Sequence, residues 1–233
     1  MSLIITKGYL IKADEYNVFD NIVTFINEHG HKFVLIALGT RKIVSKNANA
    51  LRIGNLNEFE FFHARNENKI SKLKRVITLI EAKWPNYNKS FFLLNELVEK
   101  LTYPNKDNYE FYNEMLPYTQ QDSVSDKKII LMLLMKFCKL SGIDLWVDNC
   151  VKCGNSKIQT ISFKNHGLIC NMCFNSKINT QYDINLSKLI YFLFKENFNE
   201  IDKYEKEFNF AIKFLKNYAS SNLGIKINSL DEY

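Results

Sequence analysis

Four cysteines in this 233-residue chain have the spacing of metal ligands. Cys150 with Cys153, and Cys170 with Cys173, form two C-x-x-C pairs separated by 16 residues. This spacing is typical of four-thiolate zinc sites, in which each pair folds back so that two sulfurs meet one ion. Because four protein ligands leave no coordination position open for water or substrate, we predict one structural Zn2+ ion.

Ordinary reduced thiols and a redox pair are the alternatives to a metal site. Gly154 after the first pair and Gly167 before the second favour the tight turns that a metal knuckle needs. A redox pair needs a thioredoxin-like strand and helix around it, and the sequence shows neither. The fifth cysteine, Cys138, lies in the most apolar helical pattern and is predicted to be a core residue. His166 lies near the second pair, but four thiolates already complete a ligand set.

No catalytic motif accompanies the cysteines. The sequence lacks the phosphate-binding loop, the dinucleotide-binding glycine pattern, the H-E-x-x-H motif and the H-x-E start of a zinc deaminase. The remaining histidines are His29, His31 and His63, of which His29 and His31 flank a predicted turn and should be solvated. The acidic residues are scattered without a paired arrangement. We therefore predict that the protein is not an enzyme.

Basic residues are concentrated at the N-terminal end. The chain has 31 Lys or Arg and 25 Asp or Glu, for a net charge of +6. Residues 1–80 hold twelve basic and seven acidic residues, whereas residues 81–149 and 181–233 are slightly acidic. Residues 150–180 hold four basic and no acidic residues, but metal-bound thiolates would cancel about half of that excess.

This distribution suggests a polyanionic partner such as nucleic acid. A surface that binds nucleic acid without reading its sequence needs cations along the phosphate path and aromatic faces for the bases. The candidate DNA-binding cations are Lys7, Lys12, Lys32, Arg41, Lys42, Lys46 and Arg52. Tyr9, Phe25 and Phe33 lie between them, and for Phe25 and Phe33 we favour the alternative of core packing. A second basic group, predicted on the polar side of a helix, is Lys69, Lys72, Lys74 and Arg75.

The elements that must position these residues begin with strands. Apolar residues alternating with polar ones between turn residues predict strands at residues 3–12, 22–26, 32–38, 41–45 and 58–63. The second and third of these form a hairpin around Gly30. Five short strands predict a small barrel of the OB type, and a sandwich sheet or an SH3-like barrel fits the same pattern.

From Ile70 onward the apolar spacing becomes helical. The first helix should run from Ile70 to Trp84 and end at Pro85. A later helix, capped by Ser125 and ended by Gly142, is apolar on more than one face and should be the most buried. The remaining predicted helices cover residues 90–101, 107–116 (before Pro117), 187–198 and 204–222.

These patterns together predict an α+β fold in three parts. An N-terminal OB-fold barrel would occupy residues 1–80, an α-helical domain residues 81–149 and 181–233, and an inserted zinc module residues 150–180. The longest apolar run, Ile129 to Met135, is too short for a membrane span of roughly 17 residues or more. The N-terminus also lacks the features of a secretion signal. We therefore expect a cytoplasmic location with reduced thiols and no membrane partner.

The order of these parts resembles the bacterial recombination mediator family RecO. At the N-terminal end the similar segments are Lys7-Gly8-Tyr9-Leu10-Ile11, Asp20-Asn21-Ile22-Val23-Thr24 and Ala37-Leu38-Gly39-Thr40-Arg41-Lys42. Further along they are Phe137-Cys138-Lys139-Leu140-Ser141-Gly142-Ile143, the two cysteine pairs, Leu223-Gly224 and Asn228-Ser229-Leu230. The chain departs from the family pattern at Val18-Phe19, where an acidic residue is usual before Asp20, and at His166-Gly167, where a double glycine is usual.

The resemblance implies a role in DNA repair and homologous recombination. Proteins of that family bind single- and double-stranded DNA and anneal complementary strands. With RecR they help RecA to load onto DNA coated by single-strand-binding protein, whose acidic C-terminal tail docks on the helical domain. A nucleoid-associated place in the cytoplasm follows from such a role. The rival hypothesis is a non-enzymatic zinc-ribbon scaffold for protein interactions, whose basic surface is incidental.

Overall fold

A computed structural model describes residues 2–64, 69–83, 88–121, 123–177 and 179–233. The chain divides into two compact units. The first comprises residues 1–87 and 94–121, and the second comprises residues 88–93 and 122–233. Strands dominate the start of the first unit and helices dominate the second, so the α+β class is confirmed.

Five strands of the first unit form a closed barrel. The strands are β1 (Leu3–Tyr16), β2 (Asp20–Asn27), β3 (Lys32–Ala37), β4 (Leu56–Phe62) and β5 (Ser71–Ile80). They follow the order β1-β2-β3-β5-β4, and antiparallel pairing of β1 with β4 closes the ring. Only β3 and β5 are parallel among these pairs. This arrangement is the OB-like barrel that the sequence predicted.

Stacked aromatic rings fill the barrel. The ring of Phe25 lies 4.0 Å from that of Phe59 and 5.1 Å from that of Phe33, centroid to centroid, and the rings of both pairs are nearly parallel. Phe61 packs against Phe25 edge-on, and Phe25, Phe59 and Phe61 are fully buried. Gly8 leaves room for this core, since a Cβ there would lie 2.4 Å from the carbonyl oxygen of Ile26. Phe25 and Phe33 are thus core residues, as favoured from the sequence.

Two predicted elements of the barrel region were wrong. The predicted helix from Ile70 is strand β5, in which Leu73 and Val76 are buried. Of the apolar residues with helical spacing, Leu73 is buried whereas Ile77 and Ile80 are exposed, so that spacing does not mark a buried helix face. A bulge next to Leu73 also shifts the pairing of β5 with β4. The predicted strand at residues 41–45 is instead a series of turns in the long β3–β4 loop, which also contains a 3-10 turn at Ala48–Ala50. Trp84 and Pro85 lie outside the described residues.

Helical residues complete the first unit. Helix α1 (Lys89–Lys100) begins in the second unit and continues into the first, where α2 (Lys106–Thr119) follows it. The Tyr9 hydroxyl donates a hydrogen bond to Asn113 Oδ1 at 2.6 Å, and its ring packs on Tyr112 at 5.0 Å. We expected α2 to end before Pro117, but the helix includes Pro117 and continues to Thr119.

The second unit is built around α3 (Asp126–Leu140), which packs against α6 (Phe208–Leu223). Nine residues of α3 are buried, including Cys138, which confirms it as the apolar helix expected from the sequence. Along the chain between α3 and α6 are α4 (Ile184–Phe194), α5 (Phe198–Ile201) and a 3-10 segment, Asp202–Glu207. The helices predicted at residues 187–198 and 204–222 therefore begin and end at other residues than expected. Gly224 ends α6 at a φ of +66°. Among the described residues, no helix is long and apolar enough to cross a membrane.

Candidate metal centre and basic groove

The cysteine pairs lie in the second unit, beside a two-stranded hairpin formed by β6 (Thr160–Ser162) and β7 (Gly167–Ile169). Each pair begins a tight turn. In the first turn the N–H of Gly154 donates to the carbonyl of Cys150 at 2.8 Å. In the second turn the N–H of Cys173 donates to the carbonyl of Cys170 at 3.2 Å, within a 3-10 segment. The hairpin thus carries the second turn back to the first.

The four sulfurs fit one tetrahedral ion. Their Sγ atoms all lie within 4.8 Å of one another, and those of Cys153 and Cys170 are 3.6 Å apart. Sulfurs bound to one tetrahedral zinc at about 2.3 Å are separated by about 3.8 Å. The spacing in the sequence therefore becomes a cluster in the structure, and this donor set could hold a metal ion.

Ionisation within the cluster is uneven. Burial of the Cys150 thiol opposes its ionisation, but backbone N–H groups of Cys170, Lys152 and Cys153 donate to its sulfur and lower its pKa to about 6. The hydrogen bond with Cys153 and burial raise the pKa of Cys173 to about 12. Neighbouring thiols therefore cannot all ionise unless a positive charge compensates them. A bound cation would supply that charge.

Two nearby residues serve structure instead of metal binding. The His166 ring Nδ1 lies 2.7 Å from the hydroxyl oxygen of Tyr218, and among the described residues the candidate metal-binding group consists of the four cysteines without it. Gly167 has no left-handed φ. It is required because a Cβ there would lie 2.4 Å from the carbonyl oxygen of Trp146, which pairs with it. Burial raises the pKa of the core thiol Cys138 to about 12.

The first unit contains a groove with several cations. It lies between the β3–β4 loop and strand β5, and has a volume of about 880 Å3. Its basic side chains are Lys42, Lys46, Lys74 and Arg75, and we call it the basic groove. Lys74 pairs with Glu60, Nζ to Oε1 at 2.6 Å. The other three cations make no ion pair within the part of the chain that the structure describes.

Comparison with known proteins gives the same family throughout. A family model described as "Recombination protein O C terminal" matches residues 90–231. The DNA repair protein RecO of Mycoplasma mycoides subsp. mycoides SC is 26% identical over 238 residues, which cover 96% of this chain and 94% of the relative. The chain belongs to the RecO family. The RecO of Mesoplasma florum is 25% identical over 244 residues, covering 100% of this chain and 91% of the relative. That of Alkaliphilus metalliredigens is 24% identical over 245 residues, or 98% of each.

Membership of the RecO family gives this chain a role in DNA repair and recombination. The family match covers more than half of the chain, and the relatives extend over the barrel as well.

Three of the predicted DNA-binding cations in this RecO-family chain are engaged elsewhere. Lys12 Nζ lies 2.8 Å from Glu99 Oε1. Lys32 Nζ donates to backbone carbonyls at the end of α1, including that of Glu99 at 2.6 Å, and burial lowers its pKa. Arg41 pairs with Glu15 at 3.0 Å. These contacts are internal to the first unit, and Lys32 stabilises a helix C-terminus.

The other predicted cations of the first unit remain exposed. Lys42 and Lys46 line the basic groove, whereas Lys7 lies opposite Glu58 on the strand register and Arg52 lies in the β3–β4 loop. Tyr9, the third aromatic candidate, is buried against α2. The sequence reasoning missed Phe19, an exposed ring on the β1–β2 turn that lies 5.3 Å from Lys42 Nζ. Two apolar residues in a turn, Val18 and Phe19, were the signal for it.

Proposed function

We propose that this chain is a non-enzymatic recombination mediator whose basic groove binds the phosphate backbone of single- and double-stranded DNA. The observation that carries the proposal is the set of three groove cations, Lys42, Lys46 and Arg75, without carboxylate partners among the described residues. Cations that are not neutralised within the protein can replace the counterions condensed on DNA. Family membership in DNA repair and recombination supports the same conclusion.

Strand annealing follows from the same electrostatics. Two complementary strands repel each other through their phosphates, and a cationic surface that contacts both lowers that repulsion. Such a surface needs neither ATP nor a catalytic residue. Binding through phosphates is nearly independent of base sequence and weakens as salt increases.

For the four cysteines we propose one structural Zn2+ ion. Soft thiolate ligands at tetrahedral spacing favour zinc over hard cations such as Mg2+. An ion held by four thiolates has no position left for water or substrate, so its contribution would be to hold the two turns and the hairpin together. This supports a binding role for the module over a catalytic one.

The proposed protein partners are RecR, single-strand-binding protein and, indirectly, RecA. For the acidic tail of single-strand-binding protein we propose a cavity of about 390 Å3 in the second unit, lined by Lys89, Lys127, Lys213 and the exposed ring of Phe210. Cations and an aromatic ring suit a peptide that combines carboxylates with apolar side chains. Lys89 already contacts the carboxylate of Glu232, which lines the same cavity. A mediator with these partners would lie with the nucleoid in the cytoplasm.

Fluorescence anisotropy with a labelled single-stranded oligonucleotide tests the proposed function. Charge reversal at two exposed groove positions, Lys46→Glu and Arg75→Glu, should weaken binding at least tenfold, because each replaces phosphate attraction with repulsion. Lys106→Glu is the matched control, since Lys106 is exposed on α2 and pairs with Glu110 outside the groove. Equal affinity of wild type and the groove variant would contradict the proposal, and absence of binding by wild type would favour the protein-interaction scaffold.

A further inference from the structure

The β1–β2 turn and the β3–β4 loop of the barrel expose several apolar side chains. On the β1–β2 turn, Val18 is 73% exposed and Phe19 49%. On the β3–β4 loop, Leu38, Ile43 and Val44 are also exposed, with Ile43 fully in solvent. Exposed apolar side chains that cluster at one place commonly mark a binding surface. We call these five residues the apolar tip.

Hydrogen bonds fasten the two segments of the apolar tip to each other. The N–H of Arg41 donates to the carbonyl of Phe19 at 3.0 Å, and the N–H of Gly39 donates to Asp20 Oδ1 at 2.7 Å. The Asn21 side-chain amide also donates to Thr40 Oγ1 at 3.1 Å. The backbone at Phe19 is therefore held in place before any ligand arrives, which reduces the entropic cost of binding.

The apolar tip is continuous with the basic groove. A cavity of about 520 Å3 is lined by Val18, Phe19 and Asp20 on one side and by Leu38, Gly39 and Lys42 on the other. Leu38, Gly39 and Lys42 also line the basic groove. A nucleic-acid strand whose phosphates lie along Lys46 and Arg75 would thus bring a base to the ring of Phe19. Lys42, 5.3 Å from that ring, lies at the junction of the two surfaces.

We propose that Phe19 stacks on an unpaired nucleobase, which makes single-stranded DNA the preferred ligand of the basic groove. The inference rests on the proposed function and specifies its ligand. An exposed aromatic ring beside unneutralised cations is the combination that binds single strands, because every unpaired base offers a π-face and every nucleotide a phosphate. In a duplex the faces of the bases are hidden by stacking, so the ring gains nothing there. A purely apolar protein partner would make no favourable contact with the cations.

Full-length wild type and the Phe19→Ala and Phe19→Trp variants would be titrated with oligo-dT of 20 nucleotides and with a 20-base-pair duplex. Loss of one base–aromatic stack should weaken oligo-dT binding on the order of tenfold, and leave duplex binding within twofold. Phe19→Trp keeps an aromatic ring and should bind oligo-dT with an affinity close to that of wild type. Ile5→Ala is the matched control, because Ile5 is exposed on β1 and does not line the basic groove. A 2-aminopurine base in the oligonucleotide should be quenched by wild type and not by Phe19→Ala.

The outcomes separate this inference from the proposed function. If Phe19→Ala binds both ligands as wild type does, while Lys46→Glu with Arg75→Glu weakens both, the groove binds DNA and the stacking assignment is wrong. The stacking assignment is also wrong if Phe19→Ala weakens the binding of both ligands equally. It is wrong as well if Phe19→Trp binds oligo-dT as weakly as Phe19→Ala does, despite an unchanged thermal unfolding midpoint. If wild type binds neither ligand, the proposed function itself fails, and the apolar tip would be a site for a protein.

Discussion

Replacing Cys153 with serine tests the metal centre with little effect on the rest of the fold. Cys153 is exposed, so the loss of its sulfur leaves no cavity in the core. Its Sγ nevertheless lies 3.6 Å from that of Cys170, within the cluster of four sulfurs. The substitution therefore tests the proposed ion directly. Lys152→Ser provides a matched control, since Lys152 is an exposed non-ligand in the same turn.

The expected loss of affinity can be worked out from the ligand number. Structural zinc sites have apparent binding free energies of about 10 to 16 kcal/mol. An even share among four thiolates is about 2.5 to 4 kcal/mol for each, which corresponds to a loss of affinity of about 60- to 900-fold. Hydroxyl oxygen is a much poorer ligand than thiolate for this kind of ion, so serine should recover little of the loss.

Competition with a chromogenic zinc chelator measures that affinity, and Co2+ substitution reports the ligand geometry. Wild type and Lys152→Ser should bind one equivalent and give the spectrum of a tetrahedral four-thiolate site. Cys153→Ser should bind more weakly by the stated factor and lose the four-thiolate spectrum. Equal affinity of Cys153→Ser and wild type would refute the assignment of this ligand, and a wild type that binds no metal would refute the site.

Two further predictions concern the first unit. Lys32→Met should lower the free energy of unfolding by about 1 to 2 kcal/mol, because the carbonyls at the end of α1 lose a charged donor. Urea unfolding would measure this loss of stability, and anisotropy should show that the DNA affinity of Lys32→Met is unchanged. Weaker DNA binding by a variant of unchanged stability would instead show that Lys32 contacts DNA. Phe59→Ala should cost about 3 to 5 kcal/mol, because Phe59 is fully buried and stacks on Phe25. A urea midpoint close to that of wild type would contradict the aromatic core of the barrel.

The candidate metal centre could be predicted from sequence because its four cysteines are close in the chain. Two C-x-x-C turns joined by a short hairpin are enough to place the four sulfurs, and the structure brings them together as expected. The role of Gly167 was misread, since its requirement comes from the carbonyl of Trp146 and not from its own φ. That contact joins segments about twenty residues apart and leaves no local signal.

The basic groove could be predicted only in part, because it is made by tertiary pairing. Lys42 and Lys46 were recognised as candidates, but Lys74 and Arg75 were placed on a helix. Leu73, Ile77 and Ile80 have helical spacing, but in β5 only Leu73 of these is buried, and local periodicity does not show which apolar residues face the core. For Lys32 the missing information was also tertiary, since the carbonyls that receive its ammonium belong to α1, more than sixty residues away.

The dependence of DNA affinity on salt is the most direct test of the central claim that the basic groove binds phosphates. Three to four cations in contact with a single strand should give a plot of log K against log salt with a slope of about −2 to −3. Combining Lys46→Glu with Arg75→Glu should bring that slope to about −1 or closer to zero. A wild-type slope near zero, or an unchanged slope in the double variant, would contradict the account.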